Sequence, residues 1–299
     1  MKRLIITADD FGAAREVNDA VEAAHRGGVL SAASLMVAAP EAADAVARAR
    51  RMPALRVGLH LVLVEGRPLL PASRLSHLVD GKGMFRADLA ALGTAIACRG
   101  QAQAQVAAEI TAQFEAFRAT GLSLDHCNAH KHFHLHPVVG ALIASIGARF
   151  GLRAVRVPIE PAHVLRRVER ARRAPAMLTG PFALLLRRRL RAAGILVPDQ
   201  VFGLRWSGQM STARLSGLIH HLPDGLSEIY LHPATGPYQG SAPGYRYREE
   251  LDALVADEVA AACRDPSLRL GGFGDFLGSQ APLPSGPTRG AMSKQSLMP

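Results

Sequence analysis

The sequence Leu4-Ile5-Ile6-Thr7-Ala8-Asp9-Asp10-Phe11-Gly12 decides how this chain begins to fold. Its apolar first half is typical of a buried strand, and two adjacent carboxylates follow where that strand is expected to end. Successive side chains of a strand point to opposite faces, so Asp9 and Asp10 can serve different tasks. One carboxylate can bind a cation while its neighbour handles a proton. The simpler alternative is an N-cap, in which an aspartate stabilises the start of the next helix.

Short apolar runs alternate with helical patterns along the chain. The pattern predicts strands at 3–7, 30–37, 55–64, 122–128, 154–157, 228–232 and 269–273, and helices at 14–26, 40–51, 101–120, 137–150 and 248–263. This alternation favours a parallel α/β fold. The polar residues of interest follow predicted strands, as in a (β/α) barrel, whose active site lies at the carboxyl ends of its strands. An open doubly wound sheet binds ligands at the same ends and stays an alternative here.

The composition allows a substantial core and argues against several classes of protein. The chain has 299 residues, of which 48% are hydrophobic, enough for one large domain or two small ones. The cysteines Cys98, Cys127 and Cys263 form no CxxC pair, which suits a reducing compartment. The sequence shows no signal-peptide pattern, no apolar stretch of the roughly 20 residues that span a bilayer, and no phosphate-binding glycine motif. We therefore predict a cytoplasmic protein.

The net charge of +10 is unevenly distributed, because arginines crowd into residues 165–191. They flank the apolar residues 176–178 and 182–186. This pattern fits peripheral contact with an anionic membrane surface. A nucleic-acid-binding surface is the weaker alternative, since the segment lacks interleaved aromatic residues and any known motif, and we predict no nucleic-acid partner. A pair of solvated basic helices is the structural alternative.

Histidines carry the strongest chemical signal. His60 lies within the apolar sequence Val57-Gly58-Leu59-His60-Leu61-Val62, and five histidines fall within residues 126–136. Zinc and similar divalent metals favour imidazole ligands, often with a carboxylate. One aspartate and two histidines would leave coordination positions open for water and substrate. A buried histidine bonded to a backbone carbonyl is the structural alternative for His60. Alternation along a strand would place the following residues on one face: His126, Asn128, His130, His132 and His134.

Four motifs occur in order between residue 1 and about residue 276: Thr7-Ala8-Asp9-Asp10-Phe11-Gly12, Gly58-Leu59-His60, His130-Lys131-His132-Phe133-His134 and Tyr230-Leu231-His232-Pro233. Together they resemble the YdjC family of carbohydrate deacetylases, which includes chitooligosaccharide deacetylase. Within that family the chain is most similar to the hopanoid biosynthesis-associated branch, through residues 32–37, 128–130, 201–204 and 228–234. The resemblance implies an irregular (β/α) barrel, one divalent metal ion and removal of acetyl from an N-acetylglucosaminyl hopanoid.

The resemblance also implies roles for the residues at matching motif positions. Asp10, His60 and His130 would bind the metal, and Asp9 would act as the general base. Such a ligand set accepts magnesium, zinc or other divalent ions, so the identity of the metal stays open.

The histidine motif departs from the chitooligosaccharide branch. In that branch Asp-Ser precedes three consecutive histidines, whereas here Asn128-Ala129 precedes His130 and Lys131 interrupts the run. This difference leaves the choice of metal ligand open among His130, His132 and His134, and it suggests a different acetylated substrate. We assign His132 and His134 to substrate binding.

The residues themselves support amide hydrolysis. A metal lowers the pKa of bound water from 15.7 toward roughly 7, and Asp9 can accept the proton of the attacking water. The amine leaves only when it is protonated, and His232 is the predicted general acid. A structural histidine before Pro233 is the alternative. We expect Arg156 to orient a sugar hydroxyl or to pair with Asp9, and Cys127 to pack in the core.

The sequence thus predicts one (β/α)-barrel deacetylase domain over 1–280, with a basic-apolar insertion at about 160–200 and a disordered tail over 281–299. The predicted function is metal-dependent deacetylation of an N-acetylglucosaminyl hopanoid by a cytoplasmic enzyme in peripheral contact with the inner membrane. One alternative is deacetylation of soluble chitooligosaccharides or another N-acetylated sugar. The other is a non-catalytic protein that binds a metal or a sugar.

Overall fold

The computed structural model describes residues 1–169 and 180–278, and within them seven parallel strands form one sheet. The strand order is β4-β3-β2-β1-β6-β5, and β7 pairs with β1. The strands are β1 (Lys2–Phe11), β2 (Ala32–Leu35), β3 (Arg56–Leu61), β4 (Cys127–Ala129), β5 (Gln200–Phe202), β6 (Gly225–Leu231) and β7 (Leu268–Leu270).

Helices follow most of the strands and pack against the sheet. Their bounds are α1 (Arg15–Gly27), α2 (Ala42–Arg50), α3 (Leu89–Cys98), α4 (Gly100–Ala119), α5 (Pro137–Ala148), α6 (Ala162–Val168), α7 (Gly180–Ala192), α8 (Thr212–His220), α9 (Tyr247–Val255) and α10 (Asp257–Cys263).

The sheet curls into a half-barrel, and residues 154–159 lie between its two edges. Val155 forms a parallel bridge with Cys127 of β4, and the backbone N–H of Val201 in β5 donates to the carbonyl of Ile159. The predicted class, an α/β fold of the irregular (β/α)-barrel type, is confirmed.

The central strand β1 is buried on both faces, as its apolar sequence predicts. Leu4, Ile5 and Ile6 have no exposed surface. The strand β6 pairs along one side of β1, whereas β7 and β2 share the other side, near its start and its end respectively. The strand continues beyond the predicted end at residue 7, and its pairing with β2 is irregular between Ala8 and Phe11. The two aspartates lie within this irregularity.

Several elements differ from the predicted ones. The predicted strand at 154–157 forms only isolated bridges. The predicted helix over 248–263 is divided into α9 and α10 by Ala256, whose ψ of 133° is extended rather than helical. The helices α3 and α8 and the strand β5 were not predicted. With three residues, β5 is too short to show a period of two.

The basic segment is described only in part. Residues 170–179 and the predicted tail over 281–299 lie outside the described residues. Within the described ranges, no helix is both long enough and apolar enough to cross a bilayer. The helix α7 exposes three large apolar side chains: Phe182, Leu184 and Leu185.

Candidate active site

The carboxyl ends of β1, β3, β4 and β6 meet at a cavity of about 480 Å³. The strands are parallel, so their carboxyl ends lie at the same edge of the sheet. Two predicted site residues, Arg156 and His134, are buried and do not line the cavity. The other six line it together: Asp9, Asp10, His60, His130, His132 and His232.

Asp10, His60 and His130 form a group that fits a metal ion. Asp10 Oδ1 lies 3.3 Å from His60 Nε2 and 3.4 Å from His130 Nδ1, and the three ligand atoms all lie within 4.8 Å of one another. Two ligands about 2.1 Å from a tetrahedral ion would be about 3.4 Å apart. Asp10 Oδ1 is buried and makes no hydrogen bond to any described residue. A divalent cation between these side chains would satisfy this oxygen.

The ring of His60 is oriented by Asn128. His60 Nδ1 lies 2.6 Å from Asn128 Oδ1. An amide oxygen only accepts hydrogen bonds, so Nδ1 carries the hydrogen and Nε2 presents its lone pair to the metal position. Burial disfavours the charged imidazole, but the carboxylates of Asp9 and Asp10 outweigh burial and raise the pKa of His60.

Asp9 contacts a buried guanidinium instead of joining the group of Asp10, His60 and His130. Arg156 Nη1 donates to Asp9 Oδ2 at 2.5 Å, and Arg156 Nη2 donates to Asp9 Oδ1 at 3.1 Å. Burial favours the neutral carboxyl, but the charges of Arg156 and His60 outweigh burial and hold the pKa of Asp9 well below its usual range. Asp9 is therefore ionised at neutral pH. Of the two roles expected for Arg156, its position supports pairing with Asp9.

A second carboxylate, Glu228 on β6, completes the buried network around Arg156. Glu228 Oε1 accepts from Arg156 Nε at 2.9 Å and Nη2 at 2.6 Å, and from the hydroxyl of Thr7 at 2.8 Å. Glu228 is not among the site residues predicted from the sequence. A signal was available, because Glu228 and Tyr230 alternate along β6 and so point to one side of the sheet, and His232 follows the strand at the same spacing.

The histidine motif does not continue as a strand beyond β4. Residues His130–Leu135 form 3-10 turns, and Lys131 and His132 adopt left-handed φ values of 51° and 54°. The predicted face of alternating histidines is therefore wrong beyond Ala129, because these two residues redirect the chain.

Each histidine of the motif has a different contact. Among His130, His132 and His134, the first lies beside Asp10. His132 Nε2 is 3.0 Å from the hydroxyl of Tyr230, within the cavity wall. His134 Nε2 donates to the backbone carbonyl of Arg156 at 2.8 Å, behind the wall. The predicted contact of His134 with substrate has no support from this position.

His232 lies directly after β6 and lines the cavity, where its ring centroid is 5.2 Å from that of Tyr245. Its backbone N–H donates to Glu250 Oε2 at 2.5 Å. Burial lowers the pKa of His232, although Asp10 and Asp9 act in the opposite direction. The ring is therefore mostly neutral at pH 7.

All four tyrosines of the chain line the cavity, and none of them is among the site residues predicted from the sequence. The hydroxyl of Tyr245 is 2.7 Å from Ser207 Oγ. Its ring packs on Gly208, where a Cβ would lie 2.1 Å from the ring. Aromatic walls with a few convergent polar groups are typical of sites for small molecules. The tyrosines are Tyr230, Tyr238, Tyr245 and Tyr247.

The fold and the site together define a class of protein: a parallel α/β half-barrel with an Asp-His-His group fit for a divalent metal at the carboxyl ends of its strands. The model of the YdjC-like protein family matches residues 3–265. The chain belongs to this family.

Similar proteins support this assignment. A human protein named carbohydrate deacetylase is 30% identical over 333 residues, and the match covers 99% of this chain and 98% of the relative. A carbohydrate deacetylase of Brevibacillus brevis is 36% identical over 157 residues, covering 52% of this chain but only 58% of the relative's length. The crystal structure of a putative cellobiose-phosphate cleavage protein from Enterococcus faecalis V583 has a TM-score of 0.72 at 22% identity, with 92% of this chain and 99% of that chain covered. The last likeness concerns the fold.

Proposed function

We propose that this protein is a metal-dependent hydrolase that removes the acetyl group from an N-acetylated sugar. One observation carries the proposal: consecutive residues of β1 provide an ionised carboxylate, Asp9, and a member of a metal-binding group, Asp10, and both line one cavity. The name carbohydrate deacetylase, which relatives carry, supports the choice of substrate.

The chain supplies both the metal ligands and a proton acceptor. Asp10, His60 and His130 would hold one divalent ion, such as zinc or magnesium, which when bound acidifies a water molecule and polarises a carbonyl group. Asp9 accepts the proton that the attacking water loses. Its low pKa makes Asp9 a weak base, so its contribution comes from being ionised and being held in place by Arg156.

His232 would protonate the amine nitrogen as the C–N bond breaks, which yields acetate and a free amino sugar. Because burial keeps its ring mostly neutral, His232 must first gain a proton before it can act as an acid. We expect this to be the proton that Asp9 takes from the attacking water. Glu250 positions His232 through the backbone. His132 and the tyrosines of the cavity wall would contact the sugar.

We further propose that the sugar is an N-acetylglucosaminyl group carried by a hopanoid lipid. The motif resemblance to the hopanoid-associated branch is the basis. The surface of α7 adds support, because Phe182, Leu184 and Leu185 are exposed and three arginines follow at residues 187–189. Exposed apolar residues next to basic ones suit an anionic membrane surface. The enzyme would then act from the cytoplasm in peripheral contact with the inner membrane.

The first experiment measures acetate release by metal-loaded protein from an N-acetylglucosaminyl hopanoid and from chitobiose. We expect release from the lipid, and a loss of about 100-fold or more in Asp9→Asn. Asp252→Asn, at an exposed ion pair, is the matched control and should keep full activity. Release from chitobiose alone would refute the lipid substrate. A protein that binds metal but releases acetate from neither would support the non-catalytic alternative.

A second experiment tests membrane contact. Leu184→Ser with Leu185→Ser should reduce cosedimentation with anionic vesicles and lower kcat/KM for the lipid substrate only. The matched control, Leu69→Ser with Leu89→Ser, removes two leucines of similar exposure elsewhere. Equal effects of the two double variants on vesicle binding would refute a role for α7.

A further inference from the structure

A chain of buried hydrogen bonds leads from the metal ligand His60 away from the cavity. Asn128 Oδ1 is 2.6 Å from His60 Nδ1, and Asn128 Nδ2 donates to Ser34 Oγ at 2.9 Å. Ser34 Oγ lies 3.0 Å from His126 Nε2, and His126 Nδ1 lies 3.0 Å from Asp125 Oδ2. The deacetylation chemistry leaves Ser34, His126 and Asp125 without a role.

The partners of Asn128 allow only one orientation of its amide. Asn128 Nδ2 also donates to Asp9 Oδ1 at 3.1 Å. Because the ionised Asp9 can only accept, the amide nitrogen must face Asp9 and the amide oxygen must face His60. The hydroxyl of Ser34 accepts from Asn128 and is free to donate to His126 Nε2. His126 then donates through Nδ1 to Asp125.

The far end of this chain is held firmly. Ser34, His126 and Asn128 have no exposed surface. The ring of His126 stacks on Phe273 at 4.3 Å, and a Cβ at Gly58 would lie 2.5 Å from it. Rotation of the imidazole is therefore blocked on two sides.

Asp125 is anchored in turn. Its carboxylate accepts from the backbone N–H groups of Phe273 at 3.2 Å and Gly274 at 2.7 Å. The order Ser34, His126, Asp125 resembles a nucleophilic triad, but none of the three lines the cavity. These residues act on the site through Asn128.

We propose that Ser34 and His126 are positioning residues for the metal centre. Together with Asp9 they hold the amide of Asn128 in the orientation in which His60 carries its hydrogen on Nδ1 and offers Nε2 to the metal. Hydrogen-bond partners outside the ligand set commonly change metal affinity by about 10-fold to 100-fold. The inference rests on the metal-binding part of the proposed function and is independent of the substrate.

The test is a titration of the metal-free protein with Co²⁺, in which calorimetry measures the affinity and visible absorption monitors the bound ion. We expect Ser34→Ala and His126→Phe each to weaken Co²⁺ binding by about 10-fold and to alter the absorption bands, which report the geometry of the ligands. His126→Phe retains the stacking on Phe273. The matched control is Ser227→Ala, which removes a buried serine hydroxyl of the same sheet that accepts a hydrogen bond from Gln200.

The outcomes separate the inference from the proposed function. Parent-like affinity and spectra in both Ser34→Ala and His126→Phe would overturn the inference and leave the metal centre intact. An equal loss of affinity in Ser227→Ala would also overturn it, because the effect would then follow from general destabilisation. Failure of the parent protein to bind Co²⁺ would overturn the metal centre and the inference together. If one variant does not fold, the other decides.

Discussion

Arg156→Met should destabilise the fold severely. Arg156 has no exposed surface and donates four hydrogen bonds, two to Asp9 and two to Glu228. Methionine occupies a similar space without charge, so the loss reports electrostatics more than a cavity. The two carboxylates are 2% and 0% exposed, and they would lose the cation that they share.

The magnitude follows from the number of charges left behind. Removal of one partner from a buried ion pair costs about 3–5 kcal/mol. Here one guanidinium serves two carboxylates, so we expect a loss of about 5 kcal/mol, against a total free energy of unfolding of about 5–15 kcal/mol for a typical domain. Without the cation, burial raises the pKa of the Asp9 carboxyl. The loss should therefore be greatest at high pH and should shrink as the pH falls and protons bind.

Two further variants isolate the charge effect. Glu228→Gln keeps the pair of Arg156 and Asp9, and it should cost only about 1–2 kcal/mol. Arg156→Met combined with Glu228→Gln should be more stable than Arg156→Met alone, because one unpaired charge is gone. Arg248→Met is the matched control: its ion pair with Asp252 is 66% and 53% exposed, and such pairs contribute at most about 1 kcal/mol.

Urea unfolding at pH 7.5 and pH 5.5 measures these differences, with fluorescence of Trp206, the chain's one tryptophan, as the signal. A free energy of unfolding for Arg156→Met within about 1 kcal/mol of the parent value would contradict the uncompensated-charge argument. So would a double variant that is less stable than the single variant.

Three further predictions concern the metal, the pH dependence and the cavity wall. His60→Ala should abolish stoichiometric binding of a divalent ion in calorimetric titration, whereas His77→Ala, at a half-buried histidine outside the cavity, should not. Burial raises the pKa of Glu250 from 4.5 to about 7, so the folded state binds an extra proton between these pH values. The free energy of unfolding should therefore fall as the pH rises through this window, by about 3 kcal/mol at most. In Glu250→Gln, the free energy of unfolding should depend less steeply on pH, and an unchanged dependence would contradict the assignment. Gly208→Ala should cost about 1–3 kcal/mol in thermal unfolding, because the added Cβ would displace the ring of Tyr245; a parent-like midpoint would contradict this packing.

Local sequence patterns were sufficient for the longer elements of the fold. The apolar runs behind β1 and β3 and the helical period behind α1 and α4 are local properties of the sequence, and the structure contains these elements. The start of α8 also had a local signal, since the side chain of Ser211 accepts from the backbone N–H of Arg214, as an N-cap does. The break at Ala256 had none, because no proline or glycine lies there.

Some parts of the site could be predicted from the sequence and others could not. Family motifs placed Asp10, His60 and His130 together, and the structure brings them within ligand distance of one another. The role of Asn128 depends on contacts with Asp9, 119 positions away, which no local pattern encodes. The left-handed turn after β4 likewise depends on tertiary contacts, so alternation misplaced the later histidines.

Backbone strain marks the cavity on grounds that are independent of the sequence motifs. Four non-glycine residues of the described ranges have positive φ, and all four line the cavity: Asp10, Glu65, Lys131 and His132. Each such conformation costs about 1 kcal/mol or more. All other positions with positive φ in the described ranges, including Gly240 of the cavity, are glycines, which avoid this cost. At these four positions the side chain is retained although glycine would be more stable, which is expected where the side chain itself is needed. Glu65 and Lys131 form an ion pair with each other, so the strained loops after β3 and β4 are joined beside His60 of β3 and His130, which directly follows β4.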